Sequence, residues 1–245
     1  MGRPKLKHID DFRGLLQNYQ PGSEARKLLT DLDLVLLMGP TSSGRNTIIN
    51  ELLKTGDYHF IVSDTTRPKR INNSVEEQDG VEYWFRTEDE VLADLQAGNY
   101  LEAAIIHDQQ VSGMSIRELR KASEMHKIAI NEVQPDGANA VWHIKPNTKF
   151  VFVLPPSFGV WMQRLRGRSA MPEEEIRSRL ESALVEITRA LEESYYNLVI
   201  NDEFHACTKL LHSFFKIGEL DTTKEEAARS HAVQLLEDIH VYLNR

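Results

Sequence analysis

Short apolar runs alternate along the chain with stretches whose apolar residues recur at helical spacing. Leu34–Gly39 reads as a buried strand, and His59–Ser63, Lys127–Val133, Lys149–Leu154 and Leu198–Asn201 read as further strands. Between them, Thr47–Lys54, Phe158–Leu165 and the long segment Glu173–Ser194 read as helices. Such alternation predicts an α/β fold, a mostly parallel sheet with helices on both faces. Ligands then sit at the carboxyl ends of the strands, where the Gly39–Thr47 loop lies. Three segments depart from the alternation. Residues 1–33 read as an N-terminal extension, a basic tip and a helix or two, broken at Pro21-Gly22-Ser23. From Asp64 to Arg120 the sequence turns aromatic, charged and turn-rich, as in a small inserted lobe of about residues 64–120. Residues 217–245 end the chain in a helix from Thr222, with Ala228, Ala232, Leu235, Ile239 and Tyr242 on one stripe. That stripe is expected to pack on the core or on the N-terminal helix, a dimer seam being the alternative.

Composition narrows the function classes. At 245 residues, 41% hydrophobic, the chain can bury one large domain, here residues 34–216, with the lobe as an insert. Its longest apolar runs, Leu34–Met38 and Phe150–Leu154, are too short to cross a bilayer, and the first residues lack the apolar stretch of a signal peptide. A lone cysteine, Cys207, allows no internal disulfide and suits a reducing cytoplasm. The net charge of −8 argues against bulk nucleic-acid binding, so any anion must meet a local basic site. Nine histidines show no metal-ligand spacing. A monomer and a homodimer are both compatible with the sequence.

The candidate chemistry begins at Gly39-Pro-Thr-Ser42-Ser43-Gly44-Arg45-Asn46-Thr47, a glycine-bounded loop between an apolar strand and a helix start. In G-x-x-x-x-G-K-[ST] loops the backbone N–H groups cradle phosphate, the lysine neutralises it and the hydroxyl reaches Mg²⁺. Here Arg45 and Asn46 stand at the two decisive positions. Taken alone the segment reads equally as a plain strand-to-helix turn. Further on, Ser63, Arg67 and Arg70 place hydroxyl and guanidinium donors just after a strand, able to converge on one phosphate or to form a solvated basic turn. Arg164-Leu-Arg166-Gly-Arg168, with Arg179 beyond, flanks the turn Ser169-Ala-Met-Pro-Glu173. This suits an arginine-rich lid over transferring phosphates at about residues 166–175, or a helix face ion-paired with Glu173–Glu175 and Glu181.

In this order the segments resemble the guanylate kinase family from about Leu34 to Phe215. The resemblance is carried by Gly39-Pro-Thr-Ser-Ser-Gly44, Val62-Ser-Asp-Thr-Thr-Arg-Pro-Lys-Arg70, Asp79-Gly-Val-Glu-Tyr83, Leu101-Glu-Ala-Ala104, Pro155-Pro-Ser157, Arg164-Leu-Arg-Gly-Arg168, Ile176-Arg-Ser-Arg-Leu180 and Val199-Ile-Asn-Asp202. It implies a P-loop nucleoside monophosphate kinase fold with an acceptor-binding lobe, and the reaction of ATP with GMP to give ADP and GDP, with Mg²⁺ accompanying ATP. Gly39, Ser42, Ser43, Gly44, Arg45, Asn46, Thr47 and Asn201 would then bind ATP, Asn201 at the adenine end, and Asn46 would be a weak Mg²⁺ ligand. Ser63, Arg67, Arg70 and Tyr83 would hold the GMP phosphate. Glu102 would read the guanine edge, and Gln134 would also bind GMP. Arg45, Arg164, Arg168 and Arg179 would act on the transferring phosphoryl group.

The chain departs from the family at Arg45-Asn46, where the family has Lys-Ser, at Asp108-Gln-Gln-Val-Ser112-Gly113-Met114, where it has Gly-Asn-Tyr-Tyr-Gly-Thr, and at Glu132-Val-Gln134, where it has Asp-x-Asp. Two alternatives follow: a guanylate kinase-like binding or scaffold module without activity, and a kinase for another nucleoside monophosphate.

Overall fold

In the computed structural model, which describes residues 5–72, 74–168 and 171–244, the chain folds as two compact units. The elements run α1 (Ile9–Leu16), α2 (Ser23–Asp31), β1 (Leu34–Met38), α3 (Arg45–Leu53), β2 (Tyr58–Phe60), β3 (Asp64–Thr65), β4 (Ile71–Asn72), β5 (Val75–Glu76), β6 (Trp84–Phe85) and α4 (Glu88–Gln96). They continue β7 (Tyr100–Ile106), β8 (Gln110–Ser115), α5 (Ile116–Glu124), β9 (Ile128–Glu132), α6 (Pro135–Ile144), β10 (Lys149–Leu154), α7 (Phe158–Arg168), α8 (Glu173–Glu192), β11 (Tyr196–Ile200), α9 (Phe204–Ile217) and α10 (Thr222–Leu243).

The unit formed by Val35–Asp57, Glu132–Ala138 and Thr148–Arg245 is built on parallel strands. β10 pairs with β1 on one side and β11 on the other. Every residue of β1 is buried, as are Phe150–Leu154 of β10, which is why both segments are apolar throughout rather than alternating. α10 packs on α8 and β11, burying Ala228, Ala232, Leu235 and Ile239, so the apolar stripe of the last helix is covered within the chain. The helix after the loop starts at Arg45, not Thr47, because Gly44 adopts a left-handed φ of 107° and caps it. The last strand begins at Tyr196, two residues before the apolar run, held there by its parallel register with Phe150.

The unit formed by Met1–Leu34, Tyr58–Asn131 and Asn139–Asn147 contains the parallel pair β2–β9 and a four-stranded sheet in the order β6-β3-β8-β7. In that sheet β7–β8 and β8–β3 are antiparallel and β3–β6 is parallel. The helix α4 opens with a capping box, Thr87 and Glu90 satisfying each other's backbone N–H groups. The N-terminal segment belongs to this unit. Phe12 and Leu6 join Val91, Leu95, Tyr100 and Val111 in one apolar cluster. The Tyr19 hydroxyl donates to the Tyr100 carbonyl at 2.8 Å and accepts from its N–H at 2.9 Å, covering the outer edge of β7 that would otherwise expose unpaired backbone groups.

Candidate active site

The loop after β1 is shaped by two glycines and braced by two side chains. Gly39 has φ 137°, and a Cβ there would lie 2.3 Å from the Val153 carbonyl oxygen of β10. A Cβ on Gly44 would lie 2.2 Å from Asn201 Nδ2. That nitrogen donates to the Ser43 carbonyl at 2.8 Å, and Trp161 Nε1 donates to the Thr41 carbonyl at 2.8 Å. Two loop carbonyls are thereby turned toward protein donors. The first N–H groups of α3, which have no intrahelical acceptor, are the loop's resource for an anion. Among the described residues the hydroxyls of Ser42 and Ser43 are buried without a hydrogen-bond partner, which leaves their bonding capacity open.

A cavity of about 610 Å³ opens over this loop. Ser42, Gly44, Arg45, Asn46 and Thr47 line one side, Arg164 and Gly167 another, and Asn201 and Phe204 a third. Asn201, expected at the adenine end, lines the cavity, and its amide nitrogen braces the loop. Phe204 was not among the expected residues; it lines the cavity, and its place three residues after Asn201 is the local signal that could have found it. Arg164 reaches the Ser43 carbonyl only at 3.5 Å, which leaves its guanidinium largely uncommitted beside the loop. Arg179 is not brought to the cavity. It donates to Glu175 at 2.6 and 3.1 Å, an i,i+4 pair on α8, so here the helix-face reading describes it. The Arg168 side chain and Ser169-Ala170 of the expected lid lie outside the described residues.

Arg45 opens α3 with its Nε 3.7 Å from Glu132 Oε2. Glu186 of α8 lies within its electrostatic reach: burial raises that carboxyl to about 7, and the Arg45 charge opposes the rise. Among the described residues no group of His, Cys, Asp or Glu could hold a metal ion alone. Asn46, the expected weak Mg²⁺ ligand, and Thr47 line the cavity.

The acceptor candidates lie in the other unit. Arg67 is buried and committed: Nη2 donates to Glu77 Oε1 at 2.8 Å, Nη1 to the second Glu77 oxygen and to the Pro68 carbonyl, and the Tyr83 ring lies 4.7 Å from the guanidinium carbon. Arg67 and Arg70 therefore do not form one free pair of forks. Arg70 is exposed, while Arg67 fixes the turn through Glu77, which also accepts the Arg70 N–H at 2.8 Å. Glu77 escaped the sequence reading; the Arg67 guanidinium holds its carboxyl down at about 2. Ser63 Oγ accepts from Asn131 Nδ2 at 3.1 Å. Beneath this turn Asp64 is buried, accepting from the Tyr100 hydroxyl and from Arg117, each at 2.7 Å. Glu102 pairs across the β7–β8 ladder with Met114, whose N–H donates to it at 3.3 Å. Burial raises the Glu102 carboxyl to about 7. Gln134, immediately before α6, lies in the unit that carries the loop, and its carbonyl accepts the Ala138 N–H.

No helix of the described residues is long and apolar enough to cross a membrane. The chain is similar to known proteins over most of its length. The guanylate kinase of Corynebacterium diphtheriae is 37% identical over 172 residues, covering 69% of this chain and 87% of that one. The guanylate kinase of Nocardia farcinica is 34% identical over 184 residues, covering 74% and 92%. A crystal structure of guanylate kinase from Anaplasma phagocytophilum matches with a TM-score of 0.56 at 22% identity, over 79% of this chain and 88% of that chain, and so shares the fold. With the guanylate kinase family profile also matching residues 32–217, the chain belongs to the guanylate kinase family.

Proposed function

We propose that the protein transfers the γ-phosphoryl group of ATP, supplied with Mg²⁺, to GMP. A phosphate oxygen of GMP forms the new P–O bond, the bond from the γ-phosphorus to its bridging oxygen breaks, and ADP and GDP leave. The observation that carries this reading is the braced loop, with Ser42, Arg45 and the weakly engaged Arg164 lining the same cavity. Such transfer is positioning and charge stabilisation, so no general base is required of the chain. Ser63, Arg70 and Tyr83 take the acceptor phosphate and Glu102 the base, while Arg67 acts through Glu77 to fix the turn that carries Arg70. The Arg45-Asn46 departure slows the reaction by roughly 10²–10³, the scale of losing one preorganised donor. The enzyme works in the cytoplasm as a monomer or homodimer, where a buried Cys207, its thiol raised to about 12, stays inert. A binding module is the second reading, favoured by one observation: Arg179 serves Glu175 rather than the cavity.

Glu102 supplies the test. To accept from the N–H groups of guanine the carboxyl must be ionised, and in the free protein it takes up a proton near pH 7. Affinity for GMP is then full above that pH and falls about tenfold by pH 6. Calorimetric titration of GMP at pH 8 and pH 6 should show this fall, and Glu102→Gln should bind more weakly and lose that part of the pH dependence. The same group acts in the opposite direction on stability. Its native value stands above the 4.5 of an unperturbed glutamate, so its contribution to stability declines as pH rises from about 4.5 to 7. Glu102→Gln should therefore match the wild type at pH 5 and melt higher at pH 8. Absence of binding at millimolar GMP would refute the acceptor assignment.

A further inference from the structure

We infer that Glu132 is a positioning residue for Arg45, its charge beside the Nε edge of the guanidinium turning the Nη edge toward the donor phosphates. The inference rests on the reading of the cavity above as the donor site. Arg45 is largely enclosed, its side chain 16% exposed, and it lines that cavity. Its Nε lies 3.7 Å from the Glu132 carboxylate at the end of β9, and among the described residues no hydrogen bond from its guanidinium is present. A guanidinium has two edges able to meet an oxyanion, one formed by Nε–H with an Nη–H and one by the two Nη groups. A carboxylate beside the first leaves the second for phosphate.

The orientation matters because of what arginine is. A lysine ammonium is a compact charge with three rotatable donors and needs only to be brought near its phosphate. A planar fork must also be turned to the right angle about its own axis. Glu132 limits that rotation here by its proximity to Nε. Arg45 and Glu132, separate departures in the sequence, thus form one adapted pair within one unit of the fold. Arg45→Lys alone would remove the fork that Glu132 orients.

A double-mutant cycle on the full chain tests the pair by calorimetric titration of the β,γ-imido analogue of ATP with Mg²⁺, which needs no turnover. Arg45→Ala is expected to weaken binding about tenfold or more, the scale of lost charge-assisted hydrogen bonds. Glu132→Gln should weaken it roughly threefold to tenfold in the wild type and not at all in the Arg45→Ala background. Glu132→Asp should recover part of the loss, a result that a purely structural role of Glu132 does not predict, and melting temperatures identify any variant whose fold is damaged. Losses that multiply between the two positions, or unchanged affinity in Glu132→Gln, would overturn the pairing while leaving the donor site intact. Failure of the analogue to bind the wild type would refute the donor-site reading and the pairing with it.

Discussion

Arg164→Ala should lower the turnover number by roughly 10²–10³ and leave GMP affinity within about twofold of the wild type. Arg164 lines the cavity over the phosphate loop, and among the described residues its one hydrogen bond is the long one to the Ser43 carbonyl at 3.5 Å. A guanidinium so weakly engaged gives up little when the phosphoryl group arrives, so its charge is available where negative charge concentrates during transfer. Steady-state ADP release at saturating ATP, GMP and Mg²⁺ measures the first effect, and GMP calorimetry the second. A parallel loss of GMP affinity would mean that Arg164 supports the fold at large. Equal rates in variant and wild type would remove it from the reaction.

Gly39→Ala should be the most damaging single substitution in the loop. The added methyl would meet the Val153 carbonyl oxygen at 2.3 Å, and that oxygen belongs to the backbone of β10, which is held in parallel register on both sides. With φ at 137° the alanine is also strained in its own backbone. Together these cost about 3 kcal/mol or more, a large part of a domain's stability. Gly44→Ala should cost less, because the group it meets is the amide of Asn201, which can swing away. Its cost falls on function: the Asn201 bond to the Ser43 carbonyl breaks and the loop loses a brace. Thermal unfolding should rank Gly39→Ala below Gly44→Ala and both below the wild type. Binding of the imido analogue should be lost in Gly44→Ala at temperatures where that variant is still folded. The reverse ranking would contradict the account of the loop.

What the sequence revealed follows from how local each feature is. The core strands β1 and β10 were legible because burial on both faces makes them nearly continuous apolar runs, and α8 and α10 because a long helix repeats its stripe several times. The strands β3 to β6 were not legible. Each is two residues long, too short to show a period, and β3 is a strand through pairing with a distant segment, as Thr65 pairs with Ser112. The candidate site divides the same way. The glycines and arginines announce phosphate chemistry by type and spacing, but the partner of each arginine is set by tertiary structure. Nothing local shows that Glu77 rather than Glu76 turns inward to Arg67, that Arg179 meets Glu175 instead of the cavity, or that Asn201 braces a carbonyl 158 residues away. The N-terminal segment read as an appendage for the same reason, since Phe12 and Tyr19 find their partners on α4, β7 and β8.

The most direct test of the central claim is ADP release by the wild-type full chain with ATP and Mg²⁺, compared across GMP, AMP, CMP and UMP. The account predicts release that depends on GMP, exceeds that with the other three, and yields GDP in equal amount. Release no greater than the uncatalysed background with every acceptor would contradict it and leave a nucleotide-binding module of the guanylate kinase fold.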